Sequence, residues 1–121
     1  MIYEPFSIVI VPFPFADKEH AKRRPALVLS SALHQKDTSH VTLLMVTSAK
    51  HSNWKSDYLI QDLETTGLTT SSIVRQKLFT IDARLLVDHL GRLSTQDEQH
   101  VINRLVKHLS FGREIFNNTN G

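Results

Sequence analysis

The stretch Lys22-Arg23-Arg24-Pro25-Ala26-Leu27-Val28-Leu29-Ser30 places three cationic residues directly before an apolar run. Pro25 fixes its own φ and favours an extended conformation of Arg24. The apolar residues that follow are typical of a buried strand. We therefore expect a strand over residues 25–30, with Arg24 at the last exposed position before it. Such a basic tripeptide either keeps a sheet edge soluble or presents a guanidinium to a phosphate.

Short apolar runs recur on both sides of this stretch, and they decide the fold class. They predict further strands at residues 6–13, 41–47, 57–61, 71–75 and 78–81. Residues 31–40 are polar and predict a turn with a short helical piece, whereas residues 85–91 predict a helical turn or an irregular packing segment. Gly67, in the turn at 65–68, is free to take a positive φ. Short strands without long intervening helices favour a small barrel or a half-open sheet.

The period of the apolar residues changes near the end of the chain. Thr95 and Glu98 form a capping-box pattern. Apolar residues then recur at helical spacing, at Val101, Ile102, Leu105, Val106 and Leu109. The pattern predicts one amphipathic helix of about four turns that packs on the sheet. The fold class is therefore mainly β with a C-terminal α-helix.

Length and composition indicate one domain over residues 1–121, with a polar, frayed tail at 117–121. The 14 Lys and Arg exceed the 12 Asp and Glu by only two, so a polyanion must be met by a local basic patch rather than by bulk charge. The absence of cysteine excludes a disulfide, a thiolate zinc site and a cysteine nucleophile, and it fits a reducing cytoplasm. No signal peptide and no membrane span is expected.

Three common kinds of site find no support in the motifs. The seven histidines lack metal-ligand spacing, there is no Gly-x-Ser-x-Gly elbow, and no glycine-rich loop opens a helix. We therefore expect neither a metal nor another cofactor.

Polar residues at the predicted strand ends are the remaining candidates. Arg24 opens one strand, Thr47 and Ser48 close another, and Arg75 ends a third. A guanidinium beside a hydroxyl suits a phosphodiester, because the cation meets the charge on the phosphoryl oxygens and the hydroxyl holds one of them. If the substrate is RNA, its own 2′-OH can be the nucleophile.

Structural roles for the same residues stay open. The Thr47 hydroxyl can cap a loop amide, and Trp54 can belong to the edge of the core. Arg75 can form a surface ion pair, for which Asp62, Glu64 and Asp82 are the candidates.

An ordered set of short motifs resembles the MazF/PemK toxin family. The motifs are Ile8-Val9-Ile10-Val11-Pro12-Phe13-Pro14-Phe15, Arg23-Arg24-Pro25-Ala26-Leu27-Val28-Leu29-Ser30, Val46-Thr47-Ser48, Gly67-Leu68, Ser72-Ile73-Val74-Arg75, Thr80-Ile81-Asp82 and Leu90-Gly91-Arg92-Leu93. Each motif alone is weak, whereas the ordered set over residues 6–110 is fairly specific. The resemblance implies an SH3-like barrel with a C-terminal helix, a homodimer, and a cognate antitoxin that binds through an acidic extended segment.

The resemblance also implies an activity and a set of site residues. It implies cleavage of single-stranded RNA without metal, through the 2′-OH, to give 2′,3′-cyclic phosphate and 5′-OH ends. The family's catalytic arginine falls on Arg24 and its catalytic threonine on Thr47. RNA-binding or supporting roles are expected for Glu19, His20, Arg23, Ser48, Trp54 and Arg75. The alternative is a non-catalytic member of the same fold that binds RNA or a protein target such as gyrase.

The chain departs from the family pattern at three places. Phe6-Ser7 stands where members often begin the first strand with Gly-Asp. Lys77 stands where some members carry an acid, which disfavours catalysis by an aspartate and favours the pair Arg24 and Thr47. The loop at 16–23 lacks the usual glycine.

Overall fold

The computed structural model describes residues 2–13 and 22–110, which form one six-stranded antiparallel sheet, curled into a half-barrel, and two α-helices. The strand order in the sheet is β4-β5-β3-β2-β1-β6. The strands are β1 Ser7–Phe13, β2 Lys22–Val28, β3 His40–Ser48, β4 Tyr58–Leu59, β5 Ser72–Asp82 and β6 Asp88–Arg92; the helices are α1 Ala32–Thr38 and α2 Thr95–His108. Short 3-10 turns lie at Ala49–His51, Leu63–Thr65 and Ala83–Leu85.

The central strands are buried on both faces of the sheet. Successive side chains of a strand point to opposite faces. On one face, a core forms between the sheet region and α2. It contains Val101 of α2 together with Ile8, Leu27, Leu44, Val46, Tyr58, Ile60, Val74 and Leu93. The other face forms a second core, from Val9, Val11, Ala26, Val28, Val41, Leu43 and Ile81. Burial on both sides explains why these strands read as continuous apolar runs instead of alternating ones.

The predicted start of β2 is wrong. The strand begins at Lys22, so the three cations lie within it, and Pro25 pairs with Ile10 of β1. On the other side of β2, the pairing with β3 includes Val28, Leu27 and Ala26 and does not extend to Pro25. Proline cannot donate to a ladder, and the end of pairing at this point lets the two strands separate beyond it.

Two further predictions about the sheet need correction. The strands expected at 71–75 and 78–81 are one strand, β5, whose register against β3 shifts between Leu44 and Met45. The segment expected to be helical or irregular at 85–91 largely forms β6, which pairs with β1. Its residues are exposed or half-buried, so they show no clear apolar alternation. The strand forms because the free edge of β1 supplies a partner.

Both predicted helical segments are present, and most of the features predicted for them are confirmed. The N-cap of α2 is Ser94, not Thr95, and its Oγ accepts from the amide of Asp97 at 3.1 Å. Val101 is buried and Leu105 packs on the core, but Val106 is 41% exposed. The helical piece expected within 31–40 is α1, and Gly67 has the expected positive φ of 76°. In the described part of the chain, no helix is both long and apolar enough to span a membrane.

Candidate functional site

An open cleft lies where β2 and β3 separate. Its volume is about 450 Å³. Its polar lining comes from Arg24, Thr47, Ser48, His51, Thr69, Thr70 and Ser72, and its apolar lining from Ile10, Pro25, Val46, Leu68 and Leu90. Gly67 also lines it. The end of the ladder at Pro25 therefore opens a surface that continued pairing would have closed.

The register of β2 and β3 sets Arg24 level with Thr47. The paired residues are Ala26 with Met45, Leu27 with Leu44 and Val28 with Leu43. Continuing this antiparallel register along both strands brings Arg24 opposite Thr47, and opposed residues share one face of a sheet. Both residues are half-buried. They belong to rigid strands at the mouth of the cleft.

Neither side chain is occupied by a protein partner in the described part of the chain. The ion pairs there are Arg75–Asp57, Arg84–Asp82, Arg92–Glu4 and Arg92–Glu98, so Arg24 belongs to none of them. No hydrogen bond within residues 2–13 and 22–110 engages the Thr47 hydroxyl, which leaves the loop-capping alternative without support. A cation and a hydroxyl are thus available together to an anionic ligand.

Arg75 holds the 49–57 loop, which includes the turn Ala49–His51 and leads to β4. Its Nε and Nη2 donate to Oδ1 and Oδ2 of Asp57 at 3.0 and 2.9 Å. Nη2 also donates to the carbonyl of His51 at 3.1 Å and to Oδ1 of Asn53 at 3.0 Å. The guanidinium carbon lies 4.9 Å from the centroid of the Trp54 ring. These contacts fix the loop that carries His51 to the cleft.

The electrostatics of this pair favour its ionised form. Burial alone would raise the pKa of Asp57, but hydrogen bonds from Arg75 and from the amides of Trp54 and Asn53 outweigh burial and hold that pKa below 3.8. The Asp57 carboxylate raises the pKa of Arg75 in turn. The Arg75 side chain is only 14% exposed and that of Asp57 only 1%. This arginine is a structural cation in the present conformation.

The other candidates divide by position. Ser48 lies in the cleft beside Thr47, whereas Arg23 is exposed on β2 and pairs with Pro12, outside the cleft. Trp54 is 43% exposed and lies against Arg75. The surface partners considered for Arg75 are wrong, because its partner is Asp57. Glu19 and His20 lie outside the described residues.

The sequence pattern did not identify His51, Thr69 and Thr70 as cleft residues. His51 follows Thr47 by four residues on the same connection, so a histidine just beyond a candidate strand end is the signal that could have found it. Thr69 and Thr70 reach the cleft through the turn at Gly67, whose position against β6 is a tertiary feature. Over residues 2–13 and 22–110, no group of three or more His, Asp or Glu side chains is placed to hold a metal ion.

Comparison with known proteins agrees with the architecture. MazF from Deinococcus radiodurans superposes with a TM-score of 0.71 at 24% identity, covering 91% of this chain and 98% of that one. A MazE–MazF structure from the same organism gives 0.73 at 19% identity, with the same coverages. An endoribonuclease from a mycobacterial species, in complex with its cognate antitoxin, gives 0.68 at 13% identity, covering 88% and 91%. At these identities the structures show the fold.

No curated protein matches the chain. The profile of one family, described as the PemK-like, MazF-like toxin of type II toxin–antitoxin systems, matches residues 4–109. This match covers nearly the whole described fold, including the cleft. The chain therefore belongs to the PemK-like, MazF-like family of type II toxin–antitoxin toxins.

Proposed function

We propose that this chain is a toxin that cleaves single-stranded RNA in the cleft, without a metal ion and with sequence preference. The observation that carries the proposal is that Arg24 and Thr47 line the same cleft, and that within the described residues Arg24 has no ion-pair partner and the Thr47 hydroxyl no hydrogen bond. Membership of the toxin family supports it, as does the fold shared with the mycobacterial endoribonuclease.

The reaction needs no protein nucleophile. The ribose 2′-oxygen attacks the adjacent phosphorus and the bond from phosphorus to the 5′-oxygen breaks. The 2′-OH gives up its proton and the departing 5′-oxygen gains one, so the products are a 2′,3′-cyclic phosphate and a 5′-OH. The Arg24 guanidinium binds the non-bridging oxygens as their charge grows, and the Thr47 hydroxyl donates to one of them. A single donor in such a position contributes on the order of 3 kcal/mol to the transition state.

An antitoxin is the proposed protein partner. The mycobacterial endoribonuclease is seen with its cognate antitoxin, and the Deinococcus MazF is seen with MazE. Arg24 and the neighbouring exposed cations Lys22 and Arg23 form a basic edge of β2. An acidic, extended segment of an antitoxin suits this edge, because it neutralises the cations and orders as it binds.

We further propose a homodimer. Several large apolar side chains are exposed in the described part of the chain, including Leu33 at 68%, Leu59 at 45% and Val106 at 41%. A two-fold interface can bury such residues in self-complementary pairs. Light scattering should give twice the mass of one chain, and a monomer mass at every concentration would exclude the dimer.

The activity is tested by mapping cleavage ends on a long RNA, with and without EDTA. We expect wild type to produce new 5′-OH ends in both conditions. Arg24→Ala and Thr47→Ala should each lower the rate by about a hundredfold or more, because each removes a transition-state donor. The control is Lys36→Ala, which removes an exposed cation from α1 and should cut as wild type does.

Two outcomes would overturn the proposal. Intact RNA with the wild-type protein would exclude cleavage, and bound but uncut RNA would favour the binding-only alternative. Full activity of Arg24→Ala would remove the arginine from the mechanism. Circular dichroism of each variant separates a lost donor from a lost fold.

A further inference from the structure

A second surface depression, separate from the cleft, carries three cationic side chains in its lining. It has a volume of about 310 Å³ and lies between the 49–57 loop and α2. Its lining residues, here called the basic groove, are Lys55, Ser56, Asn103, Arg104, Lys107 and His108. None of these described lining residues is acidic. In a chain whose net charge is only +2, such a local excess of positive charge is the kind of patch that a polyanion needs.

The helix produces this excess by its spacing. His100, Arg104, Lys107 and His108 follow one another at i, i+4, i+7 and i+8, so they share one stripe of α2. The residues four before Arg104 and Lys107 are His100 and Asn103, so neither cation has a carboxylate on the preceding turn.

Two of the groove side chains are held in place by the protein below them. The Arg104 guanidinium carbon lies 4.8 Å from the centroid of the Tyr58 ring. Nδ1 of His108 lies 3.0 Å from Oε1 of the buried Gln76. When Nδ1 carries a proton it donates to Gln76, which leaves Nε2 for a ligand. Side chains that are already ordered lose less entropy when they bind.

The 49–57 loop joins the basic groove to the cleft. His51 lines the cleft and Lys55 lines the groove. Four residues span at most about 14 Å, so the two surfaces are close neighbours. The contacts of Arg75 with His51 and Asp57 keep the loop in one conformation. The exposed ring of Trp54 lies on the chain between them.

We propose that the basic groove binds backbone phosphates of the RNA strand that lies in the cleft, beyond the cleaved bond. This inference rests on the proposed function. Lys55 and Lys107 contact phosphates as point charges, and Arg104 adds a guanidinium already fixed over Tyr58. An exposed tryptophan beside a row of cations is the combination that single-stranded nucleic acids favour, because every base can stack on an aromatic ring. The groove therefore raises affinity for long RNA and leaves the chemistry to the cleft.

The test compares the double variant K55Q/K107Q with K36Q/R84Q, which removes two exposed cations near a different depression, lined by Ile2, Tyr3 and Asp82. Binding is measured by fluorescence anisotropy on the full chain, with 2′-O-methyl RNAs of about 5 and about 15 nucleotides. These RNAs lack the nucleophile and stay intact. Cleavage of the matching unmodified RNAs is followed in parallel.

We expect K55Q/K107Q to bind the longer RNA more weakly. The slope of log affinity against log salt should become less steep by about 1.4, since each lost phosphate contact removes about 0.7. Affinity for the shorter RNA and its cleavage rate at saturation should be unchanged. The K36Q/R84Q control should match wild type on both lengths.

Other results would overturn the inference. An equal loss in the control would indicate bulk charge, and unchanged binding of the longer RNA would remove the groove from the substrate path. Weaker binding of a polyglutamate peptide with unchanged RNA binding would assign the groove to an acidic protein. Failure of the wild type to cut either RNA would contradict the proposed function. Normal cutting by the wild type, together with unchanged RNA binding by K55Q/K107Q, would contradict only the role of the basic groove.

Discussion

At the scale of single residues, Phe6 has a backbone conformation that is unfavourable for its residue type. Its φ is 66°, in the left-handed region, which costs a residue with a Cβ about 1 to 2 kcal/mol. Its amide donates to the carbonyl of Val28 at 2.7 Å and its carbonyl accepts from the amide of Leu93 at 3.0 Å, so two neighbouring segments hold the backbone. The side chain packs against the core. The fold accepts the backbone strain at Phe6, and in this position the side chain makes an aromatic contact with the core.

This backbone strain predicts an inverted order of stability for two variants. Phe6→Gly and Phe6→Ala both lose the aromatic contact, but only glycine relieves the strain. The free energy of unfolding of Phe6→Gly should therefore be about 1 kcal/mol larger than that of Phe6→Ala. This order reverses the usual one, in which glycine lowers stability relative to alanine. Urea unfolding at neutral pH measures the difference. If the alanine variant is the more stable one, the left-handed backbone at this position is not under strain.

At the scale of elements, the 49–57 loop depends on one buried ion pair. Asp57 accepts from Arg75, from the Ser52 hydroxyl and from the amides of Asn53 and Trp54. The sequence pattern treated Arg75 as an RNA ligand or a surface cation. The contacts favour a third role, in which Arg75 positions the loop and thereby His51. The late strand thus contributes to the cleft through another segment.

The two roles of Arg75 predict different results for Asp57→Asn. If Arg75 positions the loop, Asp57→Asn and Arg75→Gln should lower cleavage by similar factors, because each breaks the same pair. Both should also lose stability, by about 1.5 to 3 kcal/mol, since each removes the charge-assisted hydrogen bonds of the pair, while the remaining ion keeps its other hydrogen bonds. Initial cleavage rates and urea unfolding provide the measurements.

A direct phosphate contact would look different. Asp57→Asn would then release the guanidinium and preserve or increase cleavage, while Arg75→Gln alone would abolish it. The matched control is Asp82→Asn, which removes the carboxylate of the exposed pair Asp82–Arg84. An exposed pair contributes at most about 1 kcal/mol, so both cleavage and stability should stay near wild type.

At the scale of the whole molecule, Asp97 fastens α2 to the sheet region. The residue is fully buried, and its carboxylate accepts from the Tyr58 hydroxyl and from the amides of Gln61 and Asp62. Burial alone would raise its pKa, but these donors and Ser94 outweigh burial and hold the pKa below 3.8. Burial first, and then Asp97, raises the pKa of Tyr58 above its ordinary value of 10.0. One carboxylate thus links the helix N-terminus to the region of β4.

The lowered pKa of Asp97 predicts acid instability. A carboxyl whose pKa is lower in the folded state stabilises the fold fully above its unfolded pKa, near 3.8. That contribution is lost as pH falls from there through the folded pKa. Urea midpoints should therefore drop as the pH falls below about 4. Asp97→Asn should be less stable at pH 7 and less sensitive to acid, whereas Asp37→Asn, an exposed carboxylate on α1, should follow wild type. Equal acid sensitivity of Asp97→Asn and wild type would contradict this account.

The accuracy of the sequence-based predictions varied with burial. Strands buried on both faces, such as β1 and β3, were predicted nearly to their ends because Val9, Val41 and Leu43 leave an apolar signature. The strand β6 was missed because it is held by pairing to β1 and not by its own burial. Arg24 and Thr47 were identified as candidates, and their roles stay predictions. His51 and the basic groove were not identified, because they depend on which loop meets which helix.

By itself, the sequence determined the class of this protein: strands with apolar runs, a helix with a helical period, and an ordered set of family motifs. These features depend on the spacing of residues that are close in the sequence, so they can be read from the sequence itself. Tertiary structure alone decided that β2 and β3 part beside Pro25, that Asp57 occupies Arg75, and that Lys55 meets the basic stripe of α2. These features join residues far apart in the chain, and their energies depend on burial and distance that no local pattern records.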